Sequence, residues 1–365
     1  MTDLMPILGY DAIEFYVGNA RQAAHYYRTA FGFAVVAYAG PEYGVRDRAS
    51  YVLEQGGIRF VVTAGLGPES EIVRHQALHG DGVKDVAFAV PDVEDAFRTA
   101  IARGARPLGE PSVLEDEHGK LVVASIAAYG DTIHSFVDRS NYSGVYAPGF
   151  RPTKHWAAAA PAGLGAVDHV VCNVELGEMD EWAAYYSDVM GFAQLHHFND
   201  DQISTDFTAL MSKVLWDGNG RIKLPINEPA PGRRKSQIEE YLDYYRAPGV
   251  QHMALATEDI VATVEHMRAN GVRFLATPAA YYDELRDRLD WSSIDADIDR
   301  LAELGILADQ DDEGYLLQIF TKSVQDRPTV FYEIIERHGS LGFGIGNFQA
   351  LFEAIERDQA ERGNL

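Results

Sequence analysis

The sequence predicts an α+β protein of two similar domains, built from four βαβββ modules. Three observations lead there. A strand-like run, a helix-like run and further strand-like runs recur in that order along the chain. The segment Gly82-Val83-Lys84-Asp85-Val86-Ala87-Phe88 returns as Gly249-Val250-Gln251-His252-Met253-Ala254-Leu255, and the glycines Gly104 and Gly271 keep the same offset of 167 residues. Between the copies, from Asn141 to Gly165, lie Pro148, Gly149, Pro152, Pro161, Gly163 and an alanine run, a breaker-rich connection. We expect an N-terminal domain over 1–145, a linker over 146–165 and a C-terminal domain over 166–365.

In the first module Ala12-Ile13-Glu14-Phe15-Tyr16-Val17 reads as a strand. Arg21 to Phe31 reads as a helix closed by Gly32, and Ala49 to Leu53 and Ile58 to Thr63 read as a meander. The third module repeats this with Asp168-His169-Val170-Val171-Cys172-Asn173-Val174 and with Trp182 to Tyr186 before Gly191. The second and fourth modules begin at Gly82 and Gly249 and end in the strands Thr132–Val137 and Thr329–Ile334. The second domain carries a polar, helix-like insertion, Asp283 to Leu304. Its tail spaces Phe348, Leu351, Phe352 and Ile355 as an amphipathic helix behind four glycines between Gly339 and Gly346. Such a helix either acts as a lid over a site or docks permanently.

A net charge of −24, from 31 basic and 55 acidic residues, opposes binding to nucleic acid or to an anionic membrane. The single cysteine, Cys172, excludes an intramolecular disulfide, and its valine neighbours predict a packed thiol rather than a nucleophile. The N-terminal residues show no basic leader and no long apolar run, so the expected location is the cytoplasm.

Chemistry concentrates in the second half. Strand alternation puts Phe331, Glu333 and Ile335 on one face of the last strand, so the Glu333 carboxylate sits between large apolar groups and needs a cation. One answer is a buried Arg or Lys. The other is a metal, because His169 and His252 occupy strands related to this one by the repeat, with approximate first-half counterparts Ala12, Asp85 and Phe136. Two imidazoles and one carboxylate with open positions form the facial triad of non-haem Fe(II) oxygenases, a donor set that also suits Co²⁺, Ni²⁺ and Zn²⁺. His196 and His197 are adjacent, and His266 lies in a helical run, so they compete less well.

Several strings carry a resemblance. They include Asn227-Glu228-Pro229, Lys235-Ser236-Gln237-Ile238, Tyr281-Tyr282, Leu316-Leu317-Gln318-Ile319-Phe320-Thr321, Phe331-Tyr332-Glu333-Ile334-Ile335 and Gly342-Phe343-Gly344-Ile345-Gly346-Asn347-Phe348. In this order the chain resembles the vicinal-oxygen-chelate superfamily (glyoxalase-like), and within it the 4-hydroxyphenylpyruvate dioxygenase family. The resemblance implies an open barrel in the C-terminal domain and Fe(II) held by His169, His252 and Glu333. It implies that the substrate, 4-hydroxyphenylpyruvate, brings its own keto acid, so no 2-oxoglutarate is needed. Oxidative decarboxylation, ring hydroxylation and side-chain migration would give homogentisate and CO₂, in tyrosine and phenylalanine breakdown. Ser212, Asn227, Gln237, Gln251 and Gln318 match polar positions of the family, although Gln251 should point away from its strand neighbour His252. Phe320 and Phe348 match an aromatic pair flanking the ring, Phe331 a pocket wall, and Phe343 and Asn347 further substrate positions. A homo-oligomer, dimer or tetramer, is expected. The nearest rival is 4-hydroxymandelate synthase, which hydroxylates the benzylic carbon of the same substrate. A rival of another class is a metal-free ligand-binding protein of the superfamily.

Overall fold

Residues 5–198 and 209–364 are described by a computed structural model. The first half runs β1 (Gly9–Tyr16), α1 (Ala20–Ala30), β2 (Ala34–Ala39), β3 (Arg48–Gln55), β4 (Ile58–Gly65), α2 (Glu71–His79), β5 (Gly82–Ala89), α3 (Val93–Ala102), β6 (Pro107–Asp116), β7 (Gly119–Ala127), β8 (Ile133–Asp138) and β9 (Arg151–Pro152). The second runs β10 (Leu164–Asn173), α4 (Met179–Met190), β11 (Ala193–Phe198), β12 (Ala209–Trp216), β13 (Lys223–Ala230), α5 (Gln237–Tyr245), β14 (Gly249–Thr257), α6 (Ile260–Ala269), α7 (Ala279–Arg288), α8 (Ile298–Leu304), β15 (Leu307–Gln310), β16 (Tyr315–Phe320), β17 (Phe331–His338) and α9 (Phe348–Glu361).

Each half is one curved sheet. The orders are β6-β7-β8-β5-β1-β4-β3-β2-β9 and β11-β12-β13-β10-β14-β17-β16-β15. Read from opposite ends and without β9, these are the same order. The senses agree as well. The central pairs β1–β5 and β10–β14 are antiparallel, and each is flanked by parallel pairs, β1–β4 with β5–β8 and β10–β13 with β14–β17. The repeat read from two glycine landmarks is therefore a repeat of topology.

Register corrects one assignment. His252 pairs with Phe331 and Ala254 with Glu333, while Asp85 pairs with Ile133. Two residues on, the first-half counterpart of Glu333 is Ser135. Phe136 points the other way and is fully buried in the core.

Local sequence explains the helix ends. Asn19 caps α1 by accepting from the Gln22 amide. Gly32 follows the helix at φ +76°, where an added Cβ would lie 2.5 Å from the Ala162 backbone nitrogen. Ser236 and Glu239 form a reciprocal capping box on α5. Glu228, the acid of the Asn-Glu-Pro string, accepts from the Gly177 and Met179 amides at the start of α4.

The core lies between the halves. Phe31 and Tyr332 meet ring to ring at 4.9 Å, and the Tyr332 hydroxyl lies 2.7 Å from that of Tyr27. Val170 and Cys172 face this core, while His169 and Val171, one step along, face the opposite side of the sheet. Full burial of each large apolar side chain here contributes roughly 1.5–3 kcal/mol. Part of the 146–165 stretch is packed, and from Leu164 it already belongs to β10. Tyr146 and Phe150 cover the first sheet, and β9 adds to the edge of β2. The helix-like insertion resolves into α7 and α8, with the residues between them outside helices. Among the described residues no helix is long and apolar enough to cross a membrane.

Candidate active site and metal centre

His169 on β10, His252 on β14 and Glu333 on β17 converge inside the second sheet. Oε2 of Glu333 lies 3.2 Å from Nε2 of His169 and 3.6 Å from Nε2 of His252. Two atoms bound at about 2.1 Å to one ion stand about 3.0 Å apart in octahedral and about 3.4 Å apart in tetrahedral geometry. The triad fits a metal ion. It also answers the buried carboxylate, since no Arg or Lys pairs with Glu333 among the described residues. Burial alone would raise the Glu333 carboxyl, but the two imidazoles outweigh it and bring it to about 2. Burial lowers His252, whereas for His169 the same burial is outweighed by Glu333 and Asp168 and the net shift is upward.

Two β-bulges orient the imidazoles. Along the β10–β14 ladder Val167 pairs with Leu255 and His169 with Ala254, so Asp168 is an extra residue on β10. Val171 pairs with His252 and Cys172 with Val250, so Gln251 is an extra residue on β14. At each bulge alternation fails, and neighbours that should diverge turn the same way. Asp168 Oδ1 lies 2.7 Å from His169 Nδ1, and Gln251 Oε1 lies 2.9 Å from His252 Nδ1. Each acceptor holds the Nδ1 proton, which leaves the Nε2 lone pair for a metal. Asp168 is in turn fixed by Arg337 at 2.8 and 2.9 Å and by Lys223 at 3.0 Å. The sequence reading missed Asp168. The bulges recur at Asp11 and Lys84 in the first half, so they belong to the repeat.

A cavity of about 80 Å³ opens beside the triad. Its polar lining is Ser212, Asn227, Gln237 and Gln251, and its aromatic lining includes Phe320, Phe331, Phe343 and Phe348. Ser212 and Asn227 are directly opposed on β12 and β13, and the cap at Ser236 sets Gln237 in the first turn of α5. Phe331 stacks on His252 at 4.7 Å, and Phe343 meets His169 edge-on at 5.1 Å. Gln251 lines the cavity after all, for the reason the bulge supplies.

Two expected residues do not line the cavity. The Gln318 amide packs against Gly344, where a Cβ would lie 2.5 Å from Nε2. Asn347 accepts from the Tyr281 hydroxyl at 2.6 Å and from Arg288 at 3.1 Å. Both brace the glycine-rich bend that aims α9, Gln318 from β16 and Asn347 from the bend itself. That helix places Leu351, Phe352 and Ile355 over the cavity. It is tied down by Arg362 to the buried Glu240 at 2.7 Å and by Lys322 to Asp358 at 2.7 Å. An 80 Å³ space is far below the roughly 300 Å³ at which pockets for drug-sized ligands begin.

The first half holds a larger cavity, about 900 Å³, lined by Glu14, Thr63, Asp85, Ser135 and Arg139 among others, and by no histidine. Size alone does not locate the chemistry. Burial raises Asp85 to about 7 despite hydrogen bonds from Ser135. A second convergent group, His75, His79 and Asp131, lies outside both cavities. The sequence reading did not find it, although the four-residue spacing of two histidines on one helix is a usable signal.

Fold and triad define a metalloenzyme of the glyoxalase/dioxygenase class. Residues 166–319 match the Glyoxalase/Bleomycin resistance protein/Dioxygenase superfamily, and residues 1–150 match the N-terminal domain of hydroxyphenylpyruvate dioxygenase. The chain is 47% identical over 368 residues to a 4-hydroxyphenylpyruvate dioxygenase of Yarrowia lipolytica, covering 98% of this chain and 93% of that one. It is 46% identical to that of Dictyostelium discoideum, covering 98% and 100%. A mutant 4-hydroxymandelate synthase from Streptomyces coelicolor superposes with a TM-score of 0.86 at 32% identity, over 97% of this chain and 100% of that one. The chain belongs to the 4-hydroxyphenylpyruvate dioxygenase family.

Proposed function

We propose that this protein converts 4-hydroxyphenylpyruvate and O₂ to homogentisate and CO₂, with Fe(II) held by His169, His252 and Glu333. The observation that carries the proposal is the triad's position at the wall of a cavity lined by aromatic rings and by Ser212, Asn227, Gln237 and Gln251. When bound, Fe(II) supplies what no side chain here offers, a site for the keto acid and the reductive activation of O₂.

The remaining work falls to the chain. Asp168 and Gln251 keep both imidazoles in the metal-binding tautomer. Phe320, Phe331 and Phe348 present flat apolar faces to an aryl ring. Ser212, Asn227 and Gln237 offer hydrogen bonds that fix how deep its phenol sits. The tail excludes water once it is docked, and it must shift to admit substrate into so small a space. A cytoplasmic location and a homo-oligomeric state, dimer or tetramer, complete the proposal.

The test is product analysis after anaerobic Fe(II) loading and addition of 4-hydroxyphenylpyruvate with O₂. Homogentisate is the expected product. 4-Hydroxymandelate would instead place the chain with the benzylic hydroxylase. Identity of 47% to a ring hydroxylase against 32% to the synthase favours the first outcome.

A further inference from the structure

His75 and His79 stand four residues apart in α2, so both imidazoles project from one face of the helix. Both side chains are 3% exposed. Asp131 reaches them from the turn between β7 and β8, where Gly130 (φ +57°) sits so close to the Pro248 carbonyl that a Cβ would lie 2.3 Å from it. The Asp131 Oδ2 is 2.8 Å from His75 Nδ1 and 3.4 Å from His79 Nε2. The first is a hydrogen-bond separation slightly below the octahedral value of about 3.0 Å, and the second equals the tetrahedral value of about 3.4 Å.

The tautomer points the same way. His79 Nδ1 lies 2.5 Å from the Tyr245 carbonyl, which can only accept, so Nδ1 carries the proton. In a neutral ring Nε2 then turns its lone pair toward the Asp131 carboxylate. Two lone pairs at 3.4 Å repel unless a cation lies between them. This is the relation of the Asp168 carboxylate to His169, with a backbone carbonyl as the orienting acceptor. A second observation concerns Asp131 Oδ1, which is buried and has no partner among the described residues. The Asp131 side chain as a whole is 42% exposed, so an ion and its water can reach the group from solvent.

We propose that His75, His79 and Asp131 hold a second divalent transition ion, with Zn²⁺ the natural match to two imidazoles and one carboxylate and with water completing the shell. The orienting Tyr245 carbonyl belongs to α5 of the other half, and the Tyr245 ring stacks on His79 at 4.4 Å. The ion would therefore clamp the seam between the halves. Two cations oppose it. Lys84 Nζ lies 3.9 Å from the same Asp131 oxygen, and Arg327 binds the Leu78 and Tyr244 carbonyls nearby. The rival occupant is a proton, which would make His79 an imidazolium paired with Asp131.

The experiment uses the full chain, stripped with chelator, equilibrated with Zn²⁺ at neutral pH and counted by elemental analysis. The parent should bind two ions. His252→Ala should retain one, and His252→Ala combined with His79→Ala none. Zn²⁺ at about a hundredfold above its Kd should raise the thermal midpoint of His252→Ala by a few degrees and leave the double variant unmoved. Asp131→Asn, which keeps the side-chain shape, serves in place of His79→Ala if that variant fails to fold. The proposal is overturned if His252→Ala and the double variant bind equal amounts of Zn²⁺. It is equally overturned if Zn²⁺ leaves the His252→Ala midpoint unmoved. Loss of the catalytic reading alone would appear differently, as absence of homogentisate with this second ion still bound.

Discussion

Asp168 and His169 are consecutive residues of one strand, yet their side chains meet at 2.7 Å, because Asp168 is the bulged residue of β10. The carboxylate fixes the tautomer of a buried imidazole and is itself paired with Arg337 and Lys223. Asp168→Asn keeps the shape and removes the charge. Metal affinity should fall by about 10- to 100-fold, the usual effect of losing an orienting partner. Competition with a chromogenic chelator measures it. Unchanged affinity would show that His169 needs no such partner.

A second prediction concerns Asp85. Its folded-state value is about 7, against about 3.9 for an unfolded aspartate. Between those limits the folded chain binds more protons, so the stability linked to protonated Asp85 falls as pH rises through about 7. Asp85→Asn removes this dependence. From pH 5 to pH 8 the parent should lose stability relative to the variant in urea titrations, while metal content and turnover match. Parallel titration curves would place the Asp85 value near the ordinary one.

The third concerns where oxygen goes. Phe348 is one aromatic wall of the cavity. Phe348→Ile should lower homogentisate and raise benzylic or uncoupled product, because misplacement by about 1 Å can change a rate roughly 100-fold. Chromatography at limiting substrate reads the split. Homogentisate alone at the parent rate would reduce Phe348 to packing.

The tail gives a fourth. Glu240 is 3% exposed, and Arg362 lies 2.7 Å from it. Arg362→Ala leaves that carboxylate short of its charged partner, loosening α9 by about 1–3 kcal/mol; the partial exposure of Arg362 keeps this below the cost of breaking a fully buried pair. Hydrogen exchange over 348–361 should quicken and uncoupled turnover should rise. Protection equal to the parent's would mean that apolar packing alone holds the helix.

The modules, their order and the convergence of His169, His252 and Glu333 were legible because they rest on periodicity and on an internal repeat. The rest failed where periodicity fails. A bulge adds one residue without a mark in composition, so plain alternation hides Asp168 and turns Gln251 away from the site. Counting along the sequence puts Phe136 opposite Glu333 in the repeat, where register supplies Ser135, since β8 has no landmark of its own to fix the count. Gln318 and Asn347 stand in family strings, but strings do not say which wall a side chain joins, and these two brace the bend at Gly344 and the start of α9. The group at His75, His79 and Asp131 spans a helix and a distant turn, a contact that only the fold makes.

The most direct test of the central claim compares the Fe(II)-loaded parent with His252→Ala, both shown to be folded, in 4-hydroxyphenylpyruvate and O₂. The parent should yield homogentisate and CO₂ in equal amounts, and the variant neither. Homogentisate from His252→Ala at the parent rate, or a parent that gives none, would contradict the assignment of this triad as the catalytic centre.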